Sequence, residues 1–188
     1  MSDRKQQILD VAAELLETRV FSAFSYQDIA DRLGITKAAI HSHFRTKETL
    51  GNALLEQYLV KTMNLYSEAE SAGDTAWDKF NAFVAILVRT VIDENKICPL
   101  TLLQVEHHII PESMQKGVRK ILSMDKALLT KILKQGRDEG GMLFRGTPED
   151  QASLIQAAVS GAFMMARAEG VETLEKTMAQ IKINMEPA

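Results

Sequence analysis

Ser25-Tyr26-Gln27-Asp28-Ile29-Ala30-Asp31-Arg32-Leu33-Gly34-Ile35-Thr36-Lys37-Ala38-Ala39-Ile40-His41-Ser42-His43-Phe44 holds two short helical patterns separated by a glycine. The Ser25 hydroxyl is placed to cap the first, with Asp28 three residues on, and that helix stops at Leu33-Gly34. Thr36 caps the second, which runs to about His43. Ile29 and Leu33, four residues apart, face inward from the first helix. Ala30 is small where the two helices cross, Gly34 takes the positive φ of the turn, and Ile35 and Ile40 complete a small core. The segment reads as a helix-turn-helix.

This pairing leaves Lys37, Ala38, Ala39, His41 and Ser42 pointing outward from the first turns of the second helix, the part that enters a major groove in helix-turn-helix proteins. Ala38 and Ala39 suit thymine methyl groups, Lys37 reaches guanine O6/N7 or a phosphate, and His41 and Ser42 suit phosphates. Thr46 and Lys47, at the positive end of the next helix, suit a further phosphate. Charge points the same way. The 188-residue chain carries a net −3, yet residues 1–47 carry +1, which leaves −4 on the rest. From Arg32 to Lys47 there are four bases, two histidines and no acid. A short basic face on an acidic protein predicts local contact with an anion. A glycine between two helices also occurs in hairpins that only pack. What selects DNA binding is the coincidence of the turn, the acid-free run and an N-terminal helix able to cover the motif's apolar side.

Outward from the motif, apolar residues recur at three- and four-residue spacing and alternating runs are absent, so the chain is expected to be all-α with about nine helices. Arg4 to Thr18 forms the first, and the helix-turn-helix supplies the second and third. Thr46 caps a fourth over about Lys47 to Ala69, broken by Ser71-Ala72-Gly73-Asp74. A fifth runs from Thr75 or Ala76 to about Asp93, a sixth opens at Cys98-Pro99, and a seventh spans Pro111 to Glu139 and stops at Gly140-Gly141. Thr147-Pro148-Glu149-Asp150 starts an eighth that Gly170 ends, and Glu172 to Asn184 is the ninth. The 46% hydrophobic content is that of a soluble globular chain. No apolar run approaches a membrane span, no signal peptide opens the chain, and the lone Cys98 cannot form an internal disulfide, so the cytoplasm is the expected compartment.

The runs Asp28-Ile29-Ala30, Leu33 to Phe44 and Thr46-Lys47-Glu48-Thr49-Leu50-Gly51 resemble the DNA-binding signature of the TetR family of bacterial transcriptional repressors, nearly without gaps from about Ile8 to Leu50. The resemblance implies a three-helix DNA-binding domain over residues 4–64, with the helix-turn-helix at 25–44 and the fourth helix bridging, and a regulatory and dimerisation domain over 65–188. It implies DNA contacts at Thr36, Lys37, Ala39, His41, His43 and Lys47, and on the first turn of the preceding helix at Ser25, Tyr26 and Gln27. It also implies a homodimer formed through about residues 148–184, double-stranded operator DNA as partner, and release by a small-molecule inducer. Two positions depart from the family's pattern: His41 stands where Tyr is usual, and Val20-Phe21-Ser22-Ala23-Phe24 lacks the common glycine.

Small residues Ala157, Ala158, Ser160, Gly161 and Ala162 suit the eighth helix to close packing in such an interface. Candidate pocket residues, expected to converge between helices four and eight, are Tyr58, Met63, Trp77, Phe80, Phe83, Leu87, Cys98, Leu102, Met124, Leu128 and Phe163. They suit a small, partly apolar ligand. Cys98, at a helix start, raises the alternative of a repressor that senses oxidants or electrophiles. His41 and His43 point in different directions and His107-His108 are adjacent, so neither pair is a metal site, and no cofactor is expected. An all-α enzyme would need a nucleophile with its base, paired inward carboxylates or a metal cluster, and none is present. The remaining rival is a helical interaction protein in which the motif is only packing.

Overall fold

Helices begin and end where capping chemistry places them. The computed structural model describes residues 3–91 and 98–187. Among these residues there are nine α-helices and no strand: α1 (Asp3–Thr18), α2 (Tyr26–Leu33), α3 (Lys37–His43), α4 (Lys47–Glu70), α5 (Ala76–Val91), α6 (Pro99–Val105), α7 (Glu112–Asp138), α8 (Pro148–Glu169) and α9 (Glu172–Ile183). A 3-10 turn, Phe21–Ala23, links α1 to α2. The expected end of α5 at Asp93 lies outside the described residues. The Thr147 side chain accepts from the Asp150 amide at 3.1 Å, with Pro148 in the first turn of α8.

The chain divides into two compact units. One holds residues 1–60 and 97–120, the other residues 61–96 and 121–188. A sequence boundary at 64/65 leaves residues 97–120 outside the DNA-binding domain, whereas here they pack with it, α6 lying against α1. The reason is apolar: Leu100, Leu102, Leu103 and Ile110 are buried in the same unit as Ile8, Leu9, Ala12, Leu15 and Leu16 of α1.

In the second unit α9 packs against α8 and α5. Its buried stripe is Leu174, Met178 and Met185, met by Ala152, Ile155, Val159, Ala162, Phe163 and Ala166 along α8. The opposite side of α8 exposes Leu154 (62%), Met164 and Met165 (50%), with Ala157 and Gly161 exposed between them and Ala168 beyond. These positions recur at three- and four-residue spacing, so they form one apolar stripe. No helix is long and apolar enough to cross a membrane among the described residues.

Candidate nucleic-acid interface

Three local devices fix the geometry of residues 25–44. At the entrance, the Ser25 amide donates to Asp28 Oδ2 at 2.8 Å and Ser25 Oγ accepts from the Gln27 amide at 3.2 Å, closing a capping box. Hydrogen bonds from the Ser25 hydroxyl and amide, then the Arg19 guanidinium 3.1 Å away, hold the Asp28 carboxyl at about 2. At the turn, Gly34 takes φ 61°, a left-handed conformation that a side chain would strain. At the exit, Tyr26 Oη donates to the Phe44 carbonyl at 2.9 Å, tying the first residue of α2 to the end of α3.

Because the folded Asp28 titrates well below its ordinary 3.8, its contribution is complete above about pH 4 and is lost as the pH falls toward 2. Asp28→Asn is therefore expected to lower the unfolding midpoint at neutral pH, with the deficit relative to wild type shrinking between about pH 4 and pH 2. Thermal unfolding of both proteins across that range checks it, and a deficit independent of pH would contradict it.

The recognition helix is held by one buried side chain. Ile40 is fully buried, and Phe44 just beyond α3 is buried with it. Ile29 is also fully buried, whereas Leu33 and Ile35 are half-buried, so the motif's core is narrower than its sequence implies. Thr36 Oγ1 accepts from the Ala39 amide at 3.2 Å and caps α3. Lys37, Ala38, His41 and Ser42 are exposed, and Ala39 and His43 are half-buried. Ser42 Oγ donates to the Ala39 carbonyl at 2.7 Å, leaving its lone pairs outward. His41 Nδ1 lies 3.3 Å from the Arg45 carbonyl, which only accepts, so that bond needs the proton on Nδ1. Nε2 is then an acceptor in the neutral ring and a donor to phosphate only in the imidazolium.

Two residues assigned to DNA from the sequence face inward. The Tyr26 ring is buried against His41, with centroids 4.8 Å apart, and burial pushes its hydroxyl up to about 12. It braces the motif and does not present itself to a ligand. Lys47 Nζ donates to the carbonyls of Phe21 and Phe24 and sits over both rings, 4.6 and 4.4 Å from their centroids. Desolvation lowers its pKa, with Glu106 and Asp28 opposing that shift. This ammonium is held by protein, where the sequence suggests a phosphate contact. Thr46 is also engaged locally, its Oγ1 accepting from the Thr49 amide at 3.1 Å to start α4. Ser25 and Gln27 remain exposed at the start of α2, Gln27 Nε2 donating to Asp31 Oδ1 at 2.6 Å.

The expected pocket residues fall in both units. Tyr58, Cys98 and Leu102 belong to the first unit and the other eight to the second. Met63 is exposed (53%), and Trp77 Nε1 donates to the Gly141 carbonyl at 2.7 Å at the end of α7. Phe80, Phe83, Leu128 and Phe163 are buried, while Leu87 and Met124 are half-buried. Cys98 is buried with its Sγ 3.0 Å from Tyr58 Oη, and the helix it precedes has seven residues. A sulfur so shielded does not favour the sensing alternative.

A buried acid, Glu106, and a half-buried one, Asp125, escaped the sequence reading. Glu106 is only 3% exposed and accepts from the Ser22 amide through both oxygens, at 3.1 and 3.2 Å. Asp125 in α7 accepts from Tyr66 Oη, and burial raises its carboxyl to about 7, with a Gln156 hydrogen bond opposing. Each stands on an apolar stripe, Glu106 four residues after Leu102 and Asp125 four after Ile121, which is the signal that marks them.

This constellation, a capped helix-turn-helix with a basic, acid-free recognition face, defines a DNA-binding transcription regulator. Residues 8–54 match the family model described as bacterial regulatory proteins, tetR family. Over those residues the chain carries the DNA-binding domain of that family, whose members bind operator DNA and act as dimers. It is 25% identical over 188 residues to the transcriptional repressor NemR of Escherichia coli, covering 96% of this chain and 92% of that one. A TetR-family transcriptional regulator from Agrobacterium tumefaciens superposes with a TM-score of 0.93 at 27% identity, over 98% of both chains. A TetR regulator from Legionella pneumophila gives 0.87 at 28% identity, over 99% of both.

Proposed function

We propose that this chain is a repressor that, as a homodimer, lays the α3 helices of its two subunits in successive major-groove faces of an inverted repeat and so obstructs transcription in the cytoplasm. The observation that carries the reading is the exposed face Lys37-Ala38-His41-Ser42 on a helix anchored by Ile40. Lys37 contacts a guanine edge or phosphate, Ala38 and Ala39 let the backbone approach thymine methyls, and His41, Ser42 and His43 meet phosphates. Thr36, Ser25 and Gln27 flank that face with hydroxyl and amide groups. Lys47 acts on DNA only indirectly. Selection from a random-sequence DNA library tests the reading: an enriched inverted repeat is expected, and enrichment of no sequence would overturn it.

The apolar stripe Leu154, Ala157, Gly161, Met164, Met165 and Ala168 supports dimerisation through about residues 148–184, a patch that a monomer would leave in water. Two-fold symmetry presents each substitution twice in the interface, so Leu154→Glu combined with Met165→Glu would bury four carboxylates there. The double variant is expected to weaken dimerisation by about 100-fold, appearing as a monomer in light scattering at micromolar concentration. A dimer unchanged by both substitutions places the interface elsewhere.

Release is by a small, partly apolar inducer held among Phe83, Leu87, Met124, Leu128 and Phe163 in the second unit. Its binding favours a state in which the recognition helices stand at the wrong separation for the operator.

A further inference from the structure

The helix-turn-helix is closed at both ends by groups outside it, and one of them, Glu106, directly follows α6. The turn that delivers the chain into α2, residues 21–24, is gripped from two sides. Its one amide in this arrangement, Ser22 N–H, points into the Glu106 carboxylate at 3.1 and 3.2 Å. Two of its carbonyls, those of Phe21 and Phe24, accept from the Lys47 ammonium. Lys47 is the first residue of α4, three residues beyond Phe44. Glu106 and Lys47 also act on each other, since the Glu106 charge favours the Lys47 ammonium. Around them the Phe21 and Phe24 rings meet edge to face at 5.6 Å, and Gly51 of α4 lies so near Met114 and Phe21 that a Cβ would overlap both.

A carboxylate that is only 3% exposed is costly unless it is paired and hydrogen-bonded. An apolar side chain of the same volume generally serves packing as well or better. What a buried charge adds is direction: it is satisfied only when its partners occupy particular positions. The partners here are the entrance to the helix-turn-helix, through Ser22, and its exit, through Lys47.

We propose that Glu106 is a positioning residue for DNA recognition, setting the orientation of α2 and α3 by holding the turn at residues 21–24 and the start of α4 together, without touching DNA. The proposal rests on the DNA-binding reading of α3. Its strength lies in the separation of the residues: Glu106 reaches Ser22 across 84 positions of sequence, and Lys47 reaches Phe24 across 23.

The test uses the full chain with Glu106→Leu, Glu106→Gln, Lys47→Met and the double variant Glu106→Gln with Lys47→Met. Affinity for the selected inverted repeat is measured across a salt series, and amide exchange at residues 20–25 is measured without DNA. Glu106→Leu is expected to melt lower than wild type, because it takes the acceptor from the Ser22 amide and the countercharge from Lys47. It should also bind DNA about 10-fold more weakly and exchange faster in the turn, and since lost stability alone lowers both, the deciding readout is the cycle of Glu106→Gln with Lys47→Met. Glu106→Gln keeps an acceptor for Ser22 but not the charge, and in the Lys47→Met background it should weaken binding by less than about 2-fold further. The salt slope of both single Glu106 variants should equal that of wild type, since no phosphate contact is lost. Wild-type affinity and turn exchange in Glu106→Leu, or independent effects of Glu106→Gln and Lys47→Met, would overturn the role of Glu106. A wild-type chain that retards no fragment would overturn the DNA-binding reading instead.

Discussion

Lys37→Glu is expected to abolish operator recognition while leaving the fold as stable as wild type or slightly more so. Lys37 is the first residue of α3 and is exposed. Removing a base or phosphate contact costs about 1–3 kcal/mol, and a carboxylate facing phosphates adds repulsion, so affinity should fall about 100-fold or more. Each dimer loses two cationic contacts, and the slope of log affinity against log salt should shrink by about two. Stability moves the other way, because a carboxylate in the first turn of a helix is favoured by about 0.3–1 kcal/mol at low salt. Lost binding together with an equal or higher melting temperature identifies Lys37 as a contact residue. Wild-type affinity would remove it from the interface, and lost stability would show that its effect is on the fold.

Ile40→Ala should show the opposite pattern. Ile40 is the buried side chain of a seven-residue helix, and a helix so short does not persist without packing. Deleting its outer atoms leaves a cavity under α3 and is expected to cost about 2–5 kcal/mol. For a chain of this size about 3 kcal/mol corresponds to a drop of about 6–12 °C in melting temperature. DNA affinity falls as well, since α3 loses its seat. Calorimetry of the variant checks the magnitude, and a drop under about 1 kcal/mol would mean that α3 is held chiefly by its caps and by Tyr26.

The contrast between these two residues also shows where sequence reasoning reaches. Inside and outside on a short helix follow from spacing, so the exposure of Lys37 and the burial of Ile40 were legible. So were the helix ends, because Ser25, Gly34, Thr36 and Thr147-Pro148 carry their own chemistry within four residues of the backbone groups they satisfy. Tyr26 and Lys47 make contacts that spacing does not disclose, for a common reason. Each is long enough to reach a partner remote in sequence, and those partners, the Phe44, Phe21 and Phe24 carbonyls, lie 18 to 26 residues away. Periodicity gives the side on which a residue leaves its helix, but not the carbonyl it ends on. Glu106 was hidden further still, since nothing local says that the end of α6 meets the turn before α2. The expected pocket residues meet a related limit. Burial could be read from apolar spacing, but the division of α4 and α7 between two units could not, and it separates Tyr58, Cys98 and Leu102 from the rest.

The account stands on α3 reading a base sequence, and the most direct measurement is the affinity of the wild-type dimer for the selected inverted repeat against a scrambled fragment of equal length, across a salt series. Specific binding tighter than nonspecific by about 1,000-fold or more is expected, with log affinity falling linearly as log salt rises. Equal affinity for the two fragments, or no binding to either, would contradict it.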